Sequence, residues 1–529
     1  MNTYVKRSTH TYFPRVTYAS SGEDFTQLHE YLDGEISTFK AENLGKYYPN
    51  IIGGETREGN EIHTALSPID NETILGTFAL ANEDLVNEAV KKAQEAYKTW
   101  SATPWQERVA RVRRWADVLT REKYNIAIAT IFEIGKSRIE ALGEADEVLD
   151  MIPYYCDEMV RNNGYHQSLR RAFAHEETST RLRPLGVFGV ISPFNFPLAL
   201  SVNLIVGAIL TGNTVVYKPS PDCGMTATLL IEALQEVGLG DLVQLVHGHD
   251  VVGKAIVNHP NVAGIAFTGS YNTGMAIFRQ VNSGIYTKPV IAEMGGKNPA
   301  YVSASADLKT AASGVARSAF GLQGQKCSAN SVVYVHESVK DAFVKELITV
   351  AEALKFNDPT QKDTFGGPVY NKAAFDRYLN AVEEAKAEGT VLFGGNALNL
   401  PGLEKAYYVS PAIVEVPKGH RLTKDELFAP FVAIRTFSDL EEAIVEGNDV
   451  IYGLAAGIYT QDDKELEYFL NFAEAGALYA NRASGSTTGA WPGIQSFCGW
   501  KGSGVGHKGG LGPNFIQQFM REQSHTVIR

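Results

Sequence analysis

The chain has 529 residues, too many for one ordinary hydrophobic core, so two or more domains are expected. Its 44% hydrophobic and 20% charged residues suit a soluble globular enzyme, and a net charge of -12 argues against non-specific nucleic-acid binding, which needs a basic surface. No apolar run approaches the roughly 18 residues that span a bilayer, and Cys156, Cys223, Cys327 and Cys498 are too scattered for a disulfide framework or a metal site, which points to a reducing compartment such as the cytoplasm.

Residues 1–65 are aromatic and polar without clear periodicity and read as an arm wrapping the body, helical near 21–40. Lys6, Arg7 and Arg15 precede the first acidic residue, Glu23. That is a weak trace of a transit peptide, with the mitochondrial matrix as the alternative location, against an ordinary N-terminal arm. Leu85, Val86, Ala89, Val90, Ala93 and Tyr97 recur at helical spacing behind an N-cap at Asn82. Val109, Val112, Trp115 and Leu119 mark a second helix after Pro104, and a third with acidic residues along it covers 137–159.

From Thr180 short β-branched runs alternate with helical ones. Strands are expected at 187–191, 214–217, 243–246, 264–267 and 290–292, with helices at 198–210, 224–237 and 273–281 between them. This alternation predicts a parallel sheet with crossover helices, which binds ligands beyond the strand C-termini. A second α/β series begins near Asn298. It has helices at 310–322, 339–354, 373–387 and 440–446 and strands at 331–335, 390–393, 454–459 and 477–480. The tail, 514–529, is extended and partly apolar, as segments that pair with another element or subunit are.

Chemistry-bearing residues fall where these strands end. Asn195, between Phe194 and Phe196, has an amide able to donate to a developing oxyanion, or to serve a turn. Lys218 closes the second strand, either toward a ligand or as an ordinary exposed lysine. Gly269 and Gly274 bracket a turn into a helix, which can cradle phosphate. Glu293 precedes two glycines and suits either a carboxylate base or a local cap. Cys327 follows Gly324–Gln325–Lys326. Glycine there lets the backbone bend around the sulfur, and Lys326 would favour the thiolate; a buried structural cysteine is the alternative.

Taken together, PFNFP, VYKPS, FTGS, EMGGKNP, GQKCSA and ELFAPF (Glu426 to Phe431) resemble the aldehyde dehydrogenase superfamily in order and approximate spacing, over nearly the whole chain after about residue 50. GQKCSA, the loop from Thr487 to Phe497 and the GGLGP…QF tail (Gly509 to Phe519) are most similar to the subgroup that oxidises L-glutamate γ-semialdehyde in proline catabolism. Two departures stand out. Cys498 occupies a position usually held by glycine, and Trp491 and Pro492 make the loop bulkier.

The resemblance implies an α/β fold of the aldehyde dehydrogenase type. It would have a dinucleotide-binding domain (66–293), a catalytic domain (294–485), a substrate anchor loop with its return to the body (486–513) and a small β oligomerisation extension. The extension would join 165–186 to the tail, 514–529, and make a homodimer or larger homo-oligomer. Cys327 would be the nucleophile, Asn195 an oxyanion donor and Glu293 the base that activates water. Lys218, Ser220, Gly269, Ser270, Gly295, Glu426 and Phe428 would hold the cofactor, expected to be NAD. Pro221 stands where many relatives have an acid that repels the extra phosphate of NADP, so NADP stays open. Backbone N–H groups of Gly489 and Ala490, with Ser328 and Lys326, would receive the substrate carboxylate. Phe196 and Phe497 would flank its stem, and Glu140 would meet the ammonium. Rival readings are a sister dehydrogenase for another semialdehyde or aliphatic aldehyde, a CoA-acylating relative and a non-catalytic protein on the same scaffold. No metal is expected.

Overall fold

The computed structural model describes residues 13–17, 20, 24–483 and 490–529. Two large sheets dominate. The first has eight strands in the order Gly504–Val505, Val290–Glu293, Val262–Thr268, Val187–Ile191, Thr214–Lys218, Val243–Leu245, Asn50–Ile52 and Glu55–Arg57. Its middle five strands are parallel and its outer pairings antiparallel. The second has seven strands, in the order Thr390–Gly394, Ala412–Glu415, Phe431–Phe437, Asn330–His336, Asn298–Val302, Ala455–Tyr459 and Ala477–Ala480, parallel except at the first pair.

The central strands are apolar throughout because both faces are covered. The two-residue period divides their side chains between two cores. Phe188, Val190, Val215 and Tyr217 join one cluster; Val187, Val216, Ile265 and Phe267 join the other. The helix Ala199–Leu210 is buried nearly all round, packed between this sheet and the long helix Arg138–Arg161.

The expected arm, 1–65, is built of strands from Lys46 onward, the last of them ending one residue beyond it. Asn50–Ile52 and Glu55–Arg57 extend the eight-stranded sheet, while Lys46–Tyr48 and Glu61–Leu66 flank Ile74–Leu80 in a three-stranded one. The helix ahead of them runs Thr26–Asn43. At the other end, Met520–Ile528 pairs along its whole length with Glu176–Pro184, which also pairs with His166–Ser168. Among the described residues no helix is long and apolar enough to cross a membrane.

Candidate active site

Cys327 sits where the seven-stranded sheet faces the other large sheet. The helix before it, Leu308–Phe320, stops short of the expected end because the chain turns left-handed. Leu322, Gln323 and Gly324 have φ of 46°, 54° and 65°. Each non-glycine residue there costs about 1–2 kcal/mol, so neighbours must hold the turn. Gln325 is held from two sides: its carbonyl accepts the Asn195 amide at 2.9 Å, and its side chain accepts the Tyr370 N–H at 2.8 Å. The amide of Asn195, itself buried, is thereby fixed beside the nucleophile loop.

The thiol is pushed up to about 12, first by burial and then by the nearby Glu426 and Glu293 carboxyls; backbone N–H groups of Ser328 and Cys327 pull the other way. Lys326 does not act as expected. Its Nζ pairs with Glu140 Oε1 at 2.8 Å, so its charge is spent on that carboxylate.

Glu293 ends the strand Val290–Glu293 and is buried. Burial lifts its carboxyl to about 8, offset slightly by the Gly510 N–H, 3.4 Å from Oε1. Oε2 has no hydrogen-bond partner among the described residues. The site thus joins a thiol, an amide donor and a carboxyl oxygen without a partner. Such a set can attack a carbonyl, stabilise the resulting oxyanion and take a proton from water.

A cleft of about 590 Å³ lies at the C-terminal end of the eight-stranded sheet, lined by Ile191, Lys218, Lys254, Thr273 and Gln280 among others. Burial lowers the Lys218 ammonium to about 8 although Asp250 faces it, and its Nζ donates to the Pro219 carbonyl. Gly269 precedes the helix Tyr271–Val281, whose N-cap Ser270 accepts the Thr273 N–H. Ser220 does not line this cleft; its hydroxyl lies against Tyr370 and Cys223. Nearer the thiol, Glu426 Oε1 accepts the Gly296 N–H at 2.9 Å, and burial raises its carboxyl to about 7. A side chain at Gly295 would collide with that carboxylate, and one at Gly296 with the Cys327 carbonyl. Phe428, at φ 55°, stands edge-on to Phe194.

Of the residues expected at the substrate, Ser328 is buried and Phe196 is partly exposed. The ring of Phe196 lies under the Lys136 ammonium, 3.7 Å away. Ala490 and Phe497 pack against the main core. Gly489 and the loop from Thr487 lie outside the described residues. Glu140, expected to face a substrate ammonium, accepts from Lys326 at Oε1, and its buried Oε2 has no partner among the described residues.

Three features carry no individual sequence signal. Asn298 donates to the Cys327 carbonyl. Lys136 and Glu144 form a fully buried ion pair at 2.6 Å. The other Glu144 oxygen accepts the Leu198 and Ala199 N–H groups, both at 2.9 Å, capping the helix that follows Asn195.

This arrangement is that of a thiol-dependent aldehyde oxidoreductase, and the chain belongs to the aldehyde dehydrogenase family, whose model matches residues 55–525. The 1-pyrroline-5-carboxylate dehydrogenase of Bacillus subtilis is 33% identical over 96% of this chain and 99% of its own. A Thermus 1-pyrroline-5-carboxylate dehydrogenase solved with bound NAD superposes with a TM-score of 0.91 at 29% identity, covering 98% of this chain and all of that one. The chain also matches proline utilization A from Bdellovibrio bacteriovorus, at 32% identity and a TM-score of 0.89 over 94% of its length, but spans only 52% of that longer protein.

Proposed function

We propose that the protein oxidises L-glutamate γ-semialdehyde to L-glutamate with NAD, and that Cys327, Asn195 and Glu293 carry the reaction. The observation that carries this reading is the meeting of the Cys327 thiol, the Asn195 amide and the Glu293 carboxyl in one site. Cys327 loses its proton to solvent and its Sγ bonds to the aldehyde carbon as the C=O π bond opens onto oxygen, giving a thiohemiacetal anion; the proton that Glu293 later takes from water restores the thiol. The Asn195 amide and the Cys327 N–H meet the oxyanion. NAD held in the cleft beside Lys218 would supply the hydride acceptor, and loss of hydride from the thiohemiacetal carbon leaves Cys327 acylated as a thioester. Glu293 then takes a proton from water as its oxygen attacks the thioester, and the acid departs from the restored thiol. A carboxyl at about 8 is a stronger base once ionised than an ordinary glutamate.

The fit to a dinucleotide rests on the cleft beside Lys218, the helix N-terminus at Ser270, and Glu426 with no room for a side chain at Gly295. Gly269 and Phe428 complete the set; Ser220 would act only from behind. The substrate carboxylate is assigned to backbone N–H groups at Gly489 and Ala490 with Ser328, and the stem to Phe196 and Phe497. Names of the relatives support this substrate, and one is described with NAD bound. We assign the protein to the cytoplasm, in keeping with four unpaired cysteines. A homo-oligomer would form through the sheet of Met520–Ile528, where Val527 and Ile528 are exposed.

The test is NAD reduction with L-glutamate γ-semialdehyde beside propanal and succinate semialdehyde, repeated with NADP. The expected result is a kcat/KM at least about tenfold higher for the amino-acid aldehyde, about 1.4 kcal/mol of transition-state discrimination. A simple aldehyde winning would retire the substrate assignment. Product formed only with CoA would retire hydrolysis.

A further inference from the structure

The helix Arg138–Arg161 carries carboxylates that the N-terminal segment grips. The Val16 N–H donates to Asp146 Oδ2 at 2.8 Å, and Lys123 Nζ meets the same oxygen at 2.7 Å. One turn further on, Arg15 takes Asp150 with both terminal nitrogens, Nη1 to Oδ2 at 2.7 Å and Nη2 to Oδ1 at 2.6 Å. Asp150 Oδ2 is shared, because the Trp491 indole N–H donates to it at 2.7 Å. Trp491 is only 8% exposed, and its neighbour Ala490 packs against the main core. Phe13, two residues before Arg15, packs on Tyr31 and Tyr124, so the segment is anchored on both sides of the arginine.

A buried indole needs a partner for its N–H, and its direction follows that partner. Here the partner is held by a two-nitrogen guanidinium contact, which fixes direction as well as distance. The arginine side chain is 53% exposed, so the pair adds little to global stability. What it fixes is where the indole, and the chain entering it, must lie.

We infer that Arg15 and Asp150 are a positioning pair that sets preference for the amino-acid aldehyde, by holding Trp491 and with it Ala490 where the substrate carboxylate is received. This rests on the substrate reading above. Neither residue touches the substrate. The bulky Trp491 is then the point at which the N-terminal segment grips the substrate loop.

The test uses the full chain with Arg15→Ala, Arg15→Lys and Trp491→Phe, assayed with L-glutamate γ-semialdehyde and with propanal, which has no carboxylate. Arg15→Ala and Trp491→Phe should each raise KM for the semialdehyde about three- to tenfold, with kcat nearly unchanged, the pattern of lost uniform binding. Propanal kcat/KM and KM for NAD should stay at the wild-type values. Arg15→Lys should recover part of the loss. The double variant should be little worse than the worse single one, because both act through one carboxylate. An unchanged semialdehyde KM, or an equal fall with propanal, would overturn the inference. Wild-type protein without preference for the amino-acid aldehyde would overturn the substrate reading first, before any variant is compared.

Discussion

Asn298 holds the carbonyl of Cys327. Its Nδ2 donates to that oxygen at 2.8 Å and to the Ala329 carbonyl at 2.9 Å, while its Oδ1 accepts the Ala455 N–H. A trans peptide points its N–H opposite to its C=O. Fixing the Cys327 carbonyl therefore aims the Ser328 N–H, one of the two backbone donors that draw the thiol down. Asn298 thus acts on the Cys327 thiol through the backbone, without touching the sulfur.

Asn298→Ala should therefore slow alkylation of Cys327 by iodoacetamide and lower kcat about tenfold or more, with KM for NAD little changed. It should also cost about 1–3 kcal/mol of stability, since it strands buried carbonyls. Labelling rates at matched pH, followed by peptide mapping, check this. Unaltered labelling would mean that the clamp is structural only.

In the proposed mechanism Asn195→Ala removes the side-chain donor to the oxyanion. Loss of one such donor lowers kcat on the order of 100- to 1,000-fold. Asn195 also holds the Gln325 carbonyl, so an accompanying fall in melting temperature is expected. Asn195→Asp, similar in shape, should lose as much rate because it presents an acceptor to the oxyanion. Steady-state rates of both variants decide the point; a fast Asn195→Asp enzyme would contradict the donor role.

Much of the fold is readable where one local rule governs. Val187–Ile191 and Ala477–Ala480 are apolar runs between turn residues, and Asn82 caps its helix through the Leu85 N–H. Lys123–Ile134 leaves no helical period in the sequence because it is buried all round and has no polar face. The strands at 46–66 are three to six residues long, and Lys46–Tyr48 and Asn50–Ile52 pair with segments well away in the chain, which no local pattern reports. In the site, glycines and the cysteine stand out in the sequence as motifs. Asn298 lies within one of them, yet its contact with the Cys327 carbonyl exists only after both sheets fold. Lys326 misled because adjacency in sequence to Cys327 does not set where a long side chain goes; a buried carboxylate elsewhere claims it.

Lys136 and Glu144 should prove costly to separate. Both are fully buried, and Glu144 also caps the helix Ala199–Leu210. Lys136→Met leaves an uncompensated buried carboxylate, an arrangement that costs about 3–5 kcal/mol. Glu144→Gln keeps a cap acceptor but strands the lysine, so it too should destabilise. The double change Lys136→Met with Glu144→Gln should recover part of the loss. Chemical denaturation of the three variants measures this, and full additivity would exclude the coupling.

Glu293 should lower stability in the pH range where the proposed mechanism needs it ionised. Its carboxyl moves from 4.5 to about 8 on burial, so between those values the folded chain binds more protons than the unfolded one. Stability from this group therefore falls as pH rises from about 4.5 toward 8, and the penalty is complete above the folded value. The size is up to a few kcal/mol on an order-of-magnitude basis. Glu293→Gln removes the titration and keeps the shape. The variant should match the wild-type melting temperature near pH 5 and exceed it increasingly toward pH 9. The same change should stop turnover after the first hydride transfer: a burst of about one NADH per site, then a steady rate on the order of 100-fold slower or less, because nothing remains to activate water. In the wild type, hydrolysis of the thioester should rise with pH through about 8, as the carboxyl ionises. Stability and rate would then move in opposite directions over one pH interval. A melting-temperature difference that stays constant with pH, or a variant without a burst phase, would remove Glu293 from the role of base.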